Sequence, residues 1–264
     1  MSCRPSDAFR ASCALVLALC GSAPLAAQET SSHYTGVAYA IGTESVRYRE
    51  EHWVVDGPGH RERLVLYRCP DGRAFGRKEV QYGTPPWMPQ FTFEDARTGY
   101  RESVKADHGR LTVTVRKGSA KRPDSATLEV RPDTVVDAGF DEFVRAHWAE
   151  LNRPEGTSAY FVVPSRLGDL RLNIKPTPSS DPQFRQFRMA LSGWLGALAP
   201  TITLTYTATD HRLVQFAGLS NIKDNDGENQ KVRIVFPPKD DLPPASEADV
   251  AQARSTPLVT KCSP

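Results

Sequence analysis

After its first 27 residues the chain holds no long apolar run. A membrane-crossing helix needs about 20 consecutive apolar residues, so no helical span is expected in the remainder. The chain also lacks charge of one sign, with 33 Lys and Arg against 31 Asp and Glu. Nucleic-acid binders carry a basic excess, so the balance argues against that class. Five cysteines are too few for a small disulfide-stapled scaffold. What remains is the composition of a soluble globular protein, 39% apolar and 24% charged.

The motifs of common chemistries are missing as well. The histidines are His33, His52, His60, His108, His147 and His211, and no two stand at metal-ligand spacing. There is no Gly-x-Ser-x-Gly elbow, no phosphate-binding Gly-rich loop and no Cys-x-x-Cys. Asp224-Asn225-Asp226-Gly227-Glu228 resembles a calcium loop in composition. Its spacing fails, because the first ligand position would fall on Ile222. No metal and no cofactor is therefore expected. His147 on an apolar helix face reads as a hydrogen-bonded core histidine, and His52 as a half-exposed strand residue. Glu50 and Glu51 read as the solvated face of a strand.

Residues 1–27 read as a secretory signal. Arg4 and Arg10 flank or precede the apolar run Ala11–Leu19, and small residues lead to a cleavage site after Ala27. The expected location is the periplasm. The alternative is a lipoprotein anchored through Cys20, although Leu19 is bulky for that processing site. Cleavage leaves Cys69 and Cys262, which in an oxidising compartment are expected to pair; two unrelated thiols are the alternative.

Beyond the signal the dominant period is two. Leu111, Val113 and Val115 alternate with polar neighbours, as do Leu170, Leu172 and Ile174, then Ile202, Leu204 and Tyr206. Such alternation marks strands with one buried face, the habit of antiparallel sheets. Asp56-Gly57-Pro58-Gly59, Pro70-Asp71-Gly72, Thr98-Gly99 and Asp226-Gly227 supply hairpin turns at about 10-residue spacing. One helix stands out over 140–151. Phe140, Phe143, Val144, His147, Trp148 and Leu151 form its stripe, with Asp137 as the expected N-cap. Phe184, Phe187, Met189 and Leu191 line a strand or a short helix ending near Ala199-Pro200. The fold expected is mainly β (α+β): a strongly curved antiparallel sheet, or half-barrel, wrapped around one amphipathic helix. Residues 28–236 form its β-rich domain. Residues 237–264 form a Pro-rich flexible tail with one helical turn near Glu247–Ala253.

Aromatic residues are spread over nearly every element. Trp53, Tyr67, Phe143, Trp148, Phe161, Phe187, Trp194, Tyr206 and Phe216 either fill a core or line an apolar cavity. Trp87 belongs to the same distribution. The order of exported signal, hairpins, one helix and further long strands resembles the LolA/LolB-like periplasmic carriers. It is also similar to a broader group of exported proteobacterial proteins with the same half-barrel. The likeness is carried by Asp133-Thr-Val-Val-Asp137, the helix, the strand 157–163, Leu204-Thr-Tyr206 and Arg212-Leu-Val-Gln-Phe216-Ala-Gly218. It implies a non-enzymatic carrier of a lipid or lipophilic molecule, or an envelope-assembly factor with a protein partner, and assigns no binding residue. Readings without that resemblance are a structural or interaction protein of the envelope, and a hydrolase of envelope polymers that draws its acids from scattered Asp and Glu.

Overall fold

The computed structural model describes residues 30–118, 120–193, 200–237 and 242–263. The signal segment, including Cys20 and Ala27, lies outside them, as does Trp194.

Fifteen strands form one sheet. They are β1 (Thr30–Ala40), β2 (Val46–Gly57), β3 (His60–Arg68), β4 (Ala74–Tyr82), β5 (Gln90–Asp95), β6 (Tyr100–Asp107), β7 (Arg110–Arg116) and β8 (Asp124–Glu129), then β9 (Thr134–Val136), β10 (Thr157–Val163), β11 (Gly168–Thr177), β12 (Phe184–Leu191), β13 (Ile202–Thr207), β14 (Leu213–Lys223) and β15 (Asn229–Val235). The order runs from β8 down to β1, then from β15 down to β9. Pairing is antiparallel except between β9 and β10, which are parallel, so the sheet is mixed and not purely antiparallel.

This order bends the sheet. β8 and β9 are its two ends, yet only residues 130–133 connect them. A link of that length spans at most about 17 Å. The ends must therefore come near one another, although they do not pair and the sheet stays open. Arg131 fastens the link, bonding Asp169 and lying 3.6 Å over the Tyr160 ring.

The face carrying Tyr48, His52, Val65, Lys78, Phe91, Val104 and Val113 meets one core, which also takes Ile222, Val232 and Phe236. A second core gathers Val135, Phe143, Val144, Leu151, Ile174, Phe187, Leu204 and Tyr206. Gly36 makes room in the first core, since a Cβ on it would lie 2.5 Å from the Phe236 ring.

The helix expected over 140–151 is broken. It runs as α1 (Phe140–Ala146) and α2 (Trp148–Leu151). The break falls at His147, whose Nδ1 lies 2.9 Å from the Phe143 carbonyl and whose ring stacks on Phe143 at 4.1 Å. Asp137 does not cap this helix. It opens a 3-10 turn over 137–139, the α1 N-cap is Gly139 without a side-chain bond, and the Asp137 carboxylate is taken by Lys78.

The C-terminal segment covers the opposite face of β2–β4. Helix α3 (Glu247–Ser255) is capped by Ser246 and Asp249 in a reciprocal box. Val250, Ala253 and Ala245 pack on Trp53, Val55, Leu64 and Leu66. β3 is thus buried on both faces, which accounts for its unbroken Leu64-Val65-Leu66-Tyr67 run. Val259 N donates to the Ala74 carbonyl at 2.8 Å, and Cys262 is disulfide-bonded to Cys69.

The bond closes a loop with a sequence separation of 193. Replacing both cysteines by Ser is expected to lower unfolding free energy by about 2–5 kcal/mol and to open the 242–263 segment to protease first. Urea melts and limited proteolysis read both; an unchanged midpoint would show that packing alone holds the segment.

Candidate functional site

The connections β2–β3, β4–β5, β6–β7 and β8–β9 all lie at one end of the sheet, because alternate turns of an antiparallel meander share an end. They surround a cavity of about 460 Å³ at this mouth. Its floor is apolar. Leu111 is buried, and Tyr82, Met88 and Val130 pack against the first core. Its rim is polar and exposed, with His60, Gln81, Gln90 and Arg110. Arg61 crosses the wall, 4.7 Å over the Tyr82 ring and 3.0 Å from Glu142.

Beneath the mouth lies a buried polar network. Lys78 sits on the inward phase of β4 with 5% side-chain exposure, above the Phe91 and Phe93 rings. Its Nζ donates to Asp137 Oδ2 at 2.7 Å, and Asn221 Nδ2 donates to the same oxygen at 3.2 Å. Burial alone would raise the Asp137 carboxyl, but the facing ammonium outweighs it and holds the group below the usual carboxylate range. Burial also works to lower Lys78, and Asp137 reverses this so that the ammonium is held above its ordinary value. Glu102 behaves oppositely. Burial pushes it up, although Lys78 and a 2.6 Å bond from the Tyr100 hydroxyl oppose the rise. Two further grips hold the same stretch, from the end of β9 into its crossover to β10. Arg63 donates to the Ala138 carbonyl at 2.6 Å, and Val136 N donates to the Trp87 carbonyl at 3.0 Å. A Cβ on Gly139 would fall 2.6 Å from that Trp87 carbonyl oxygen, so the crossing demands glycine.

His52 and Glu50 are buried, against the expectation of a half-exposed histidine and a solvated glutamate. Both face inward on β2, and His52 Nε2 lies 3.0 Å from Glu50 Oε2. Tyr34 stacks on the imidazole at 4.5 Å. His52 Nδ1 is buried and has no partner. The network thus assigns the neutral tautomer with Nε2–H donating, since a second N–H would have nothing to bond. Burial accordingly lowers the His52 pKa.

The aromatic residues read from the sequence divide among three places. Phe143, Phe187 and Tyr206 are fully buried in the second core, with Trp148 and Phe161 packed against them. Trp148 stacks on His211 at 3.9 Å. Tyr67 lies in the first core, edge-on to Phe93 at 5.5 Å. Phe216 packs against both cores. Trp53 faces the other way, under α3. Trp148, Phe187 and Tyr206 have their rings edge-on to one another, and none of the eight lines the mouth cavity or the second cavity on the opposite face. Sequence reasoning missed the mouth residues Tyr82, Met88, Leu111 and Val130. Lys78 had a readable signal, a charge on the inward phase of an alternating strand.

Among the described residues no cluster of His, Cys, Asp or Glu could hold a metal ion, and no helix is long and apolar enough to cross a membrane. No protein-family model, curated protein or solved structure matches the chain.

Lys78→Met is expected to cost about 2–3 kcal/mol, below the roughly 3–5 kcal/mol of a fully buried pair, because Asp137 keeps 31% side-chain exposure. A loss under about 0.5 kcal/mol in urea unfolding at constant m would show the pair to be dispensable. For His52 the folded-state pKa lies below the unfolded one, so its stabilising effect is present above about pH 6.5 and is lost as pH falls through the folded value. Melting temperature should fall between about pH 7.5 and 5, and His52→Gln, which can still donate to Glu50, should flatten that fall. An identical profile in the variant would place the titration elsewhere.

Proposed function

We propose that the chain is an exported, non-enzymatic binding protein that carries an apolar or lipid-like ligand, held at the mouth of the bent sheet. In this reading the sheet is a half-barrel whose inner side holds the α1–α2 segment, the compartment is the periplasm, and residues 1–27 are the export signal, with anchoring through Cys20 as its variant. The observation that carries it is the division of the mouth cavity into an apolar floor and a polar rim. That division suits an amphiphile with its chain inward and its head beside Arg110. Each buried CH₂ contributes about 0.8 kcal/mol, and about 460 Å³ falls within the usual range of ligand pockets. The resemblance of the element order to that of LolA/LolB-like carriers supports the same reading, as does the disulfide, which fits an oxidising compartment.

The inward-facing acids favour binding over hydrolysis. Glu50 is engaged by His52, Asp95 by Arg97, Glu102 by Tyr100 and Asp137 by Lys78. Hydrolysis of a polymer calls for two carboxylates across an open groove. A second reading, a protein-interaction component of the envelope, is favoured by one observation. The β8 edge is largely exposed, whereas the β9 edge is covered by the Trp87 carbonyl. An exposed edge accepts an added strand.

Native mass spectrometry of the protein purified from the periplasm, followed by organic extraction, tests the carrier reading. A near-stoichiometric apolar adduct is expected. Ala106→Trp, which fills the cavity from an exposed position, should weaken binding of a fluorescent fatty acid at least about tenfold, with the far-UV spectrum unchanged. An empty mass together with no fatty-acid binding overturns the carrier reading and leaves the strand-edge one.

A further inference from the structure

The opposite face of the sheet carries a second cavity, also about 460 Å³, lined by β4–β7 and by Pro123. Two cross-strand rows form its surface. In one, Arg77 faces Glu94, Glu94 faces Arg101, and Arg101 faces Arg116. In the next, Thr92 faces Ser103, Ser103 faces Thr114, and Thr114 faces Ser125. The first row has one carboxylate for three guanidiniums. Glu94 is shared between Arg77 at 3.6 Å and Arg101 at 3.2 Å.

Arg116 is left over. It stands directly opposite another arginine, an arrangement that destabilises a sheet. Its Nε is buried without a partner, and its only hydrogen bond among the described residues is a long one of 3.5 Å to the Gly99 carbonyl. Lys117, Lys121 and Arg122 follow in the exposed β7–β8 connection, and no described carboxylate pairs with them. Glu79 at the far side is paired with Arg254, Glu102 also borders the cavity but faces inward and accepts from Tyr100, and Asp124 is the first residue of β8. A cationic row with unsatisfied donors beside a continuous row of hydroxyls is more than a solvated face requires.

We propose that this outer face binds an anionic saccharide. Guanidiniums bind oxyanions of phosphate, sulfate or carboxylate groups in a fork geometry. The hydroxyl row offers donors and acceptors to sugar hydroxyls, which an acidic peptide would use poorly. The site lies on the opposite face from the mouth, so it does not depend on the ligand proposed there. The two rows run across β4–β7, a reach that suits an extended polymer segment rather than a compact solute.

The test uses the full mature chain and a heparin-derived hexasaccharide as probe, by calorimetry in about 0.1 M salt, where the Debye length is about 10 Å. Binding is expected for the wild type. Arg101→Gln/Arg116→Gln should weaken it at least about tenfold, and that variant removes a like-charge pair, so it should fold. Thr114→Val should weaken it more modestly, a readout that pure charge attraction would not move. Arg185→Gln/Arg188→Gln, which removes two exposed cations on distant β12, should leave it unchanged. Three results overturn the proposal: no binding by the wild type, equal loss in the β12 variant, or polyglutamate binding as tightly as the hexasaccharide.

Discussion

Three cations on the inner face of β3 and β4 grip residues 137–142, the start of the crossover from β9 to β10. Lys78 takes Asp137, Arg63 takes the Ala138 carbonyl, and Arg61 takes Glu142. β9 ends the ladder, and β8, its neighbour in sequence, lies at the opposite end, so no strand pairing holds this segment against β3 and β4. Ion pairs in a low-dielectric interior are directional and exacting about geometry, and an unpaired partner is costly. They therefore fix where β9 and α1 lie, which in turn decides where the β4–β5 loop can cross and where the mouth opens. The apolar cores reward contact wherever it occurs, but the cations select one arrangement.

The two faces of the sheet are used differently. The inner face of β2–β7 is packed with rings and partnered charges. The outer face is apolar only over β2–β4, where α3 and the disulfide-bonded segment cover it, and is cationic and hydroxylated beyond. The boundary runs along β4, where Arg77 reaches the Thr256 carbonyl at 2.7 Å. One arginine thereby belongs both to the cover and to the open groove.

Much of the strand plan is legible in the residues. The alternations at 111–116, 170–175 and 201–206 and the Gly-Asp turns place those strands within about two residues, because period and turn chemistry are local. β1 and β8 carry little alternation. Ser31, Ser32 and Gly36 are small, and Gly36 is required by a Phe236 ring 200 residues away in the chain, information no local window contains. The helix stripe reads correctly, but its break at His147 and the loss of Asp137 as a cap follow from tertiary partners. The paired cysteines show in their count alone. The mouth does not show at all: Tyr82, Met88, Leu111 and Val130 come from four separate elements and resemble any core residues until the sheet bends.

The pairing of β1 with β15 has a consequence for how the chain acquires this shape. β2 through β8 add by successive hairpins, each needing only nearby residues. β1 keeps one edge unpaired until Val232–Val235 arrive from the other end of the chain. Contacts of such separation are slow to form, because a long loop must close before they contribute. A chain delivered N-terminus first therefore presents half a sheet with a bare central edge until residues 232–235 are in place. That interval, more than any property of the finished molecule, is when it is most exposed to pairing with the wrong strand.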